Sequence, residues 1–164
     1  MSSYSIKEVL EFALAIEETG YDFYVAQAEK TTNKKVKDLF ERLARDEQQH
    51  KKGFKLILDD MASRVSDEGQ FGEEYFQYIK MLVKDMGFKE SKFNRDVASS
   101  ESILDVVLYA MNREKDTVQY YTELKSMVSE QDQGTVDRLI EEEKEHFSTL
   151  FAVYEDLEKD LQKT

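Results

Sequence analysis

Leu43-Ala44-Arg45-Asp46-Glu47-Gln48-Gln49-His50 and Leu139-Ile140-Glu141-Glu142-Glu143-Lys144-Glu145-His146 carry the only two histidines of the chain, each three positions after a glutamate. Three positions is a neighbour spacing on an α-helix, so Glu47 and His50 point to one side of their segment, and Glu143 and His146 to one side of theirs. Which side that is matters most. Leu43, Glu47, His50, Phe54 and Leu58 share one stripe, and Leu139, Glu143, His146, Leu150 and Leu157 share another. The polar pairs therefore interrupt the apolar faces of their helices and are directed at a core.

Two further stripes have the same character: Leu10, Ala13, Glu17, Gly20 and Tyr24, and Val107, Ala110, Glu114, Val118 and Tyr121. Ala13-Leu14-Ala15-Ile16-Glu17 followed by Phe23-Tyr24 matches Ala110-Met111-Asn112-Arg113-Glu114 followed by Tyr120-Tyr121, with the tyrosine seven residues beyond the glutamate both times. The two octapeptides quoted above match each other in the same order, so the chain is an internal repeat and predicts a pseudo-two-fold axis. Four carboxylates and two imidazoles then meet in the interior. Buried carboxylates are expensive and raise one another's proton affinity unless cations are present, and two divalent ions balance four negative charges. One Glu from each of two helices with Glu-x-x-His from each of the other two is the recurring ligand set of di-iron and di-manganese carboxylate centres. Oxygen and imidazole donors suit iron or manganese and leave zinc open. Glu18 competes with Glu17, and Glu142 with Glu143; the repeat and the stripes select Glu17 and Glu143. Tyr24 and Tyr121 are also readable as ordinary core tyrosines.

The rest of the chain supplies helices to carry these stripes. With 164 residues and no proline, one domain over 1–164 with long uninterrupted helices is expected, hence an all-α fold. Ser5-Ile6-Lys7-Glu8 reads as a capping box, with Tyr4 against Val9 as a staple, opening a helix that runs to about Lys30. Thr31-Thr32-Asn33 interrupts the pattern, and Asn33 caps a second helix that fades near Ser63. Residues 64–101 form a connection punctuated by Gly69 and Gly72, with a short helix from Tyr75 to Met86 that Gly87 ends. A third long helix begins near Ser102, and Gly134-Thr135 marks the start of the fourth. Short turns make each pair antiparallel, while the connection is long enough to cross the length of the bundle. A four-helix bundle with a long crossover between its second and third helices follows.

Composition removes several function classes. The absence of cysteine excludes disulfides, thiolate metal sites and iron–sulfur clusters. A formal net charge of -12 with no basic stripe argues against a nucleic-acid partner, and Lys34, Lys35 and Lys37 read as a local solvated face. The start of the chain lacks a basic-then-apolar signal pattern, and no apolar run is long enough to span a bilayer, which predicts a cytoplasmic protein with no membrane partner.

At these motifs the chain resembles the ferritin-like superfamily, and within it the rubrerythrin-type di-iron proteins, over nearly its whole length. The resemblance implies a ferritin-like bundle holding two iron ions, with Glu17 and Glu114 as terminal ligands and Glu47 and Glu143 bridging the pair. On that pattern His50 and His146 each complete one iron, and Tyr24 and Tyr121 steady carboxylates through their hydroxyls. It further implies a homodimer and an oxidoreductase that reacts with hydrogen peroxide or dioxygen. Two departures stand out. Full-length rubrerythrins carry a four-cysteine rubredoxin domain, so this cysteine-free chain would take electrons from a separate donor protein. Thr117 stands where rubrerythrins have a further glutamate, which bears on iron movement between oxidation states and on peroxidase strength. Iron storage or delivery, or a structural module with a vestigial site, are the other functions compatible with the same residues.

Overall fold

A computed structural model describes residues 6–63, 72–96 and 102–164, and within them the chain forms five helices: α1 (Ile6–Lys30), α2 (Lys34–Ser63), α3 (Glu73–Asp96), α4 (Ile103–Lys125) and α5 (Glu130–Gln162). The α1–α2 turn is closed by residues suited to it. Asn33 accepts the Val36 N–H through Oδ1 at 3.1 Å and the Lys37 N–H through its carbonyl at 2.9 Å, so it caps α2. Ser102 caps α4 through the Asp105 N–H. The expected capping box at Ser5 and staple at Tyr4 involve residues outside the described ones.

Helix directions follow from cross-helix contacts. Tyr120 bonds the Val9 carbonyl at 2.7 Å and Arg113 bonds Thr19 at 3.0 Å, so α4 runs antiparallel to α1. Lys35 pairs with Asp156, and a Cβ at Gly53 would touch Leu139, so α5 runs antiparallel to α2. With each hairpin also antiparallel, α2 ends at the opposite end of the bundle from the start of α4. The 24-residue α3 spans the gap, since at about 1.5 Å per residue it covers about 36 Å. The architecture is a ferritin-like four-helix bundle with a helical crossover. Among the described residues no helix is long and apolar enough to cross a membrane.

Two helix boundaries differ from the sequence expectation, both at glycines. The crossover helix does not stop at Gly87 but continues to Asp96, and α5 begins at Glu130 rather than at Gly134. A helical glycine costs only about 1 kcal/mol relative to alanine, and tertiary contacts on both sides exceed that here. Beyond Gly87, Phe93 is buried, while Lys89 reaches back to Asp85 at 2.7 Å and across to Asp116 on α4 at 2.9 Å. Before Gly134, buried Met127 and Val128 anchor the turn, and Glu130 and Asp132 place negative charge at the positive end of the α5 dipole.

The core is divided. One apolar cluster includes Leu10, Phe54, Ile79, Leu124 and Leu139; the other includes Phe40, Leu43, Val107, Leu150 and Val153. Buried polar residues, among them Glu17, Glu47, Glu114 and Glu143, separate the two.

Gly87 is exposed, helical, and has open space where a Cβ would go. Gly87→Ala should therefore raise stability by about 0.5–1 kcal/mol, read as a higher denaturation midpoint in urea. A lower midpoint would contradict the continuous crossover helix.

Candidate metal centre

Each bundle helix delivers its acidic or imidazole group because that residue lies in the stripe that packs inward. Glu17, Glu114 and Glu143 are fully buried, Glu47 and His50 are 1% exposed, and His146 is 5% exposed. The structure brings all six together in two overlapping groups. Glu17, Glu47, His50 and Glu143 form one, and Glu47, Glu114, Glu143 and His146 the other, with the donor atoms of each group within 4.8 Å of one another. Glu47 and Glu143 belong to both. Glu18 and Glu142, the competing acids, lie in neither; Glu18 instead pairs with Lys51 on α2.

The imidazoles face inward through Nδ1. His50 Nδ1 lies 2.7 Å from Glu143 Oε1, and His146 Nδ1 lies 3.1 Å from Glu143 Oε2. The rings stack at 17° with centroids 5.3 Å apart, as expected across a pseudo-two-fold axis. Their outer nitrogens are held by acids that sequence reasoning missed. His50 Nε2 contacts Glu142 on α5 at 2.7 Å, and His146 Nε2 contacts Asp46 on α2 at 3.3 Å. A signal was available, because Asp46 and Glu142 each directly precede the shared glutamate in the two halves of the repeat. An acid on the far nitrogen fixes the tautomer and orientation of a ligating histidine.

The tyrosines cross in the same manner. The Tyr24 hydroxyl on α1 donates to Glu114 Oε1 on α4, and the Tyr121 hydroxyl on α4 donates to Glu17 Oε1 on α1. Each terminal carboxylate thus has one oxygen fixed, while its other oxygen, Oε2 of Glu17 and of Glu114, is buried without a partner. Glu47 Oε1 is likewise unpartnered. Three buried acceptors without a hydrogen bond, beside two inward Nδ1 atoms of which that of His50 lies 3.6 Å from Glu17 Oε2, form a donor set that fits two cations. Thr117 makes no such offer, since its Oγ1 donates to the Arg113 carbonyl at 2.9 Å.

Protons balance the cluster in the metal-free chain. Burial and the charges of Glu17 and Glu143 push Glu47 well above the usual carboxylate range. Burial and the charges of Glu114 and Glu17 push Glu143 up to about 7. Burial acts against the imidazolium of His50 and of His146, but their glutamate partners outweigh it, raising His50 to about 11 and His146 to about 10. Burial also opposes ionisation of Glu114 and Glu17. Interactions with His146 and Glu143 win at Glu114, lowering it to about 2, and interactions with Glu47 and His50 bring Glu17 below its ordinary value. Metal must therefore displace protons from both histidines and from part of the Glu143 population at neutral pH, and the raised proton affinity of Glu47 acts in the same direction.

The sign of the pH dependence follows. Groups with raised folded values stabilise the metal-free fold most below their unfolded values, and that contribution is lost as pH rises through the folded ones. Glu143 loses it between 4.5 and about 7, and the histidines between 6.5 and about 10 or 11. Metal binding strengthens over the same interval because its competing protons leave. The gap in melting temperature between metal-loaded and metal-free protein should widen from about pH 6 to about pH 8.5, as measured by calorimetry. A gap that narrows would contradict this charge balance.

Comparison with known proteins agrees with the geometry. The fold is similar to a crystal structure from Thermotoga maritima described as a candidate ferritin-like diiron-carboxylate protein, with a TM-score of 0.69 at 23% sequence identity over 94% of this chain and 97% of that one. No curated protein matches the chain. The family model described as rubrerythrin matches residues 8–101, a segment that carries Glu17, Glu47, His50 and the crossover helix. With more than half of its length matched by that model, the chain belongs to the rubrerythrin family.

Proposed function

We propose that the buried cluster holds two iron ions and that the protein is an oxidoreductase reducing hydrogen peroxide or dioxygen with electrons from a separate donor. The observation that carries this reading is the pair of overlapping four-residue groups sharing Glu47 and Glu143. Two ions held by shared carboxylates would each give up one electron, so that hydrogen peroxide, two electrons and two protons become two waters.

The chain's own residues would prepare the site for that task. Four ionised glutamates match the charge of two divalent ions, and burial strengthens the match by excluding water. Glu17 and Glu114 would ligate through Oε2, because Tyr121 and Tyr24 already hold their Oε1 atoms. His50 and His146 would ligate through Nδ1, with Glu142 and Asp46 keeping the proton on Nε2. The buried tyrosine hydroxyls resist ionisation: burial and the neighbouring carboxylates raise both well above their ordinary value, so they remain hydrogen-bond donors as the charge of the site changes. The chain supplies no cysteine, and so no rubredoxin-type centre, to return electrons. A donor protein fills that role in this reading.

Anaerobic stopped-flow mixing of the ferrous-loaded protein with hydrogen peroxide tests the proposal. Two irons should be oxidised per peroxide, far faster than aquated ferrous ion under the same conditions. Oxidation at the aquated rate would refute the oxidoreductase reading even if iron is bound. Asp46→Asn should lower iron affinity by about 10- to 100-fold in equilibrium titrations, since it weakens the acceptor on His146 Nε2; parent-like affinity would remove Asp46 from the account.

A further inference from the structure

The pseudo-two-fold symmetry fails at one buried pair. Aligning Glu17 with Glu114 places Ile16 opposite Arg113 and Gly20 opposite Thr117. The α1 half thus has an apolar side chain and a vacant Cβ position where the α4 half has a cation and a small hydroxyl. Arg113 is 7% exposed. Its Nη2 donates to the Ile16 carbonyl and, at 3.0 Å, to Thr19 Oγ1, neither of which carries compensating charge. Its Nη1 is buried without a hydrogen-bond partner. A Cβ at Gly20 would lie 2.6 Å from that Nη1, so the guanidinium occupies the space that a side chain at position 20 would fill. Gly20 lies about one helical turn beyond Glu17 and one before Tyr24 on the inward stripe of α1. The cation therefore stands at the wall of the carboxylate cluster.

We propose that Arg113 is a specificity-determining residue of the metal centre, a permanent cation fixed on one side of it by the gap at Gly20 that favours divalent over trivalent ions. The inference rests on the reading of the cluster as a metal site. Burying an arginine without a paired carboxylate is costly, and burial indeed works against its charge, while the charges of Glu47 and Glu114 more than restore it. Four carboxylates and two divalent ions sum to zero, so the guanidinium leaves the reduced site with one excess positive charge. Each oxidation adds another, and repulsion from a fixed cation grows in proportion to the charge on the ion. Arginine stays protonated across the working pH range, so the bias is constant. Its consequence in the proposed reaction is a raised reduction potential, which makes the oxidised pair easier for a donor to reduce.

A bracing role, in which Arg113 only ties α4 to α1, predicts something different, and three variants separate the two. Arg113→Gln keeps an N–H for the Ile16 carbonyl but removes the charge; Arg113→Lys keeps a charge; Arg113→Met serves if the glutamine variant does not fold. Calorimetric titration with manganous ion and redox titration of the iron-loaded protein are the readouts. We expect Arg113→Gln or Arg113→Met to bind manganous ion more tightly than the parent. We also expect a tenfold shift of the ferric/ferrous equilibrium toward ferric, equivalent to a midpoint about 59 mV lower for a one-electron couple. Arg113→Lys should stay close to the parent. An unchanged or higher midpoint in the neutral variants, weaker manganous binding, or a lysine variant as far displaced as the glutamine one would overturn the inference while leaving the metal site intact. Failure of the parent to bind manganous or ferrous ion would instead overturn the metal-site reading, and this inference with it.

Discussion

Four carboxylates cannot share the interior of a small helical bundle without compensating positive charge, and the arrangement of this chain answers that constraint. In the metal-free state the compensation comes from protons: two imidazolium rings, a Glu143 that titrates near neutrality and a Glu47 whose proton affinity is raised by burial and its neighbours. In the proposed loaded state it comes from two divalent ions. The remaining design lets either solution exist in the same fold. Apolar clusters at both ends of the polar layer hold the helices in place, and each carboxylate is presented from a different helix, so no single element bears the whole electrostatic cost.

The polar layer also determines which parts of the fold hold each other. Within each hairpin, α1 with α2 and α4 with α5, the helices pack along extensive surfaces, whereas α1 with α4 and α2 with α5 meet sparsely. The bonds around the site run across that sparse direction. Tyr24 to Glu114 and Tyr121 to Glu17 link α1 with α4, and His50 to Glu142 and His146 to Asp46 link α2 with α5. Ions held by Glu47 on α2 and Glu143 on α5 would add to the same set. The site is thus a clasp between two hairpins, and ions bound there would add to the cohesion of the bundle.

Most of the fold was legible because helical periodicity and capping are local. Asn33 and Ser102 cap the helices that their positions imply, and the stripes through Glu17, Glu47, Glu114 and Glu143 turn inward together. The boundaries at Gly87 and Gly134 are not legible in the same way, since a glycine's weak local preference gives way to packing that sequence does not display, such as the Lys89 bridge from α3 to α4. Asp46 has no motif to single it out and Glu142 reads only as a rival of Glu143; both are part-exposed, and only the crossing of α2 over α5 reveals what they touch. Arg113 is hidden from sequence for a related reason. One charged residue beside a stripe is unremarkable until the vacancy opposite it, at Gly20 on another helix, is known.

In the proposed loaded state two metal ions would sit between the hairpins, both contacting Glu47 and Glu143. Anomalous diffraction from crystals of the iron-loaded protein, collected on either side of the iron absorption edge, tests it most directly. Two peaks about 3.5–4 Å apart are expected, each within ligand distance of both glutamates, one also near Glu17 and His50 and the other near Glu114 and His146. Iron-loaded crystals with no peak in the polar layer, or with a single peak that leaves Glu47 or Glu143 without a metal contact, would contradict it.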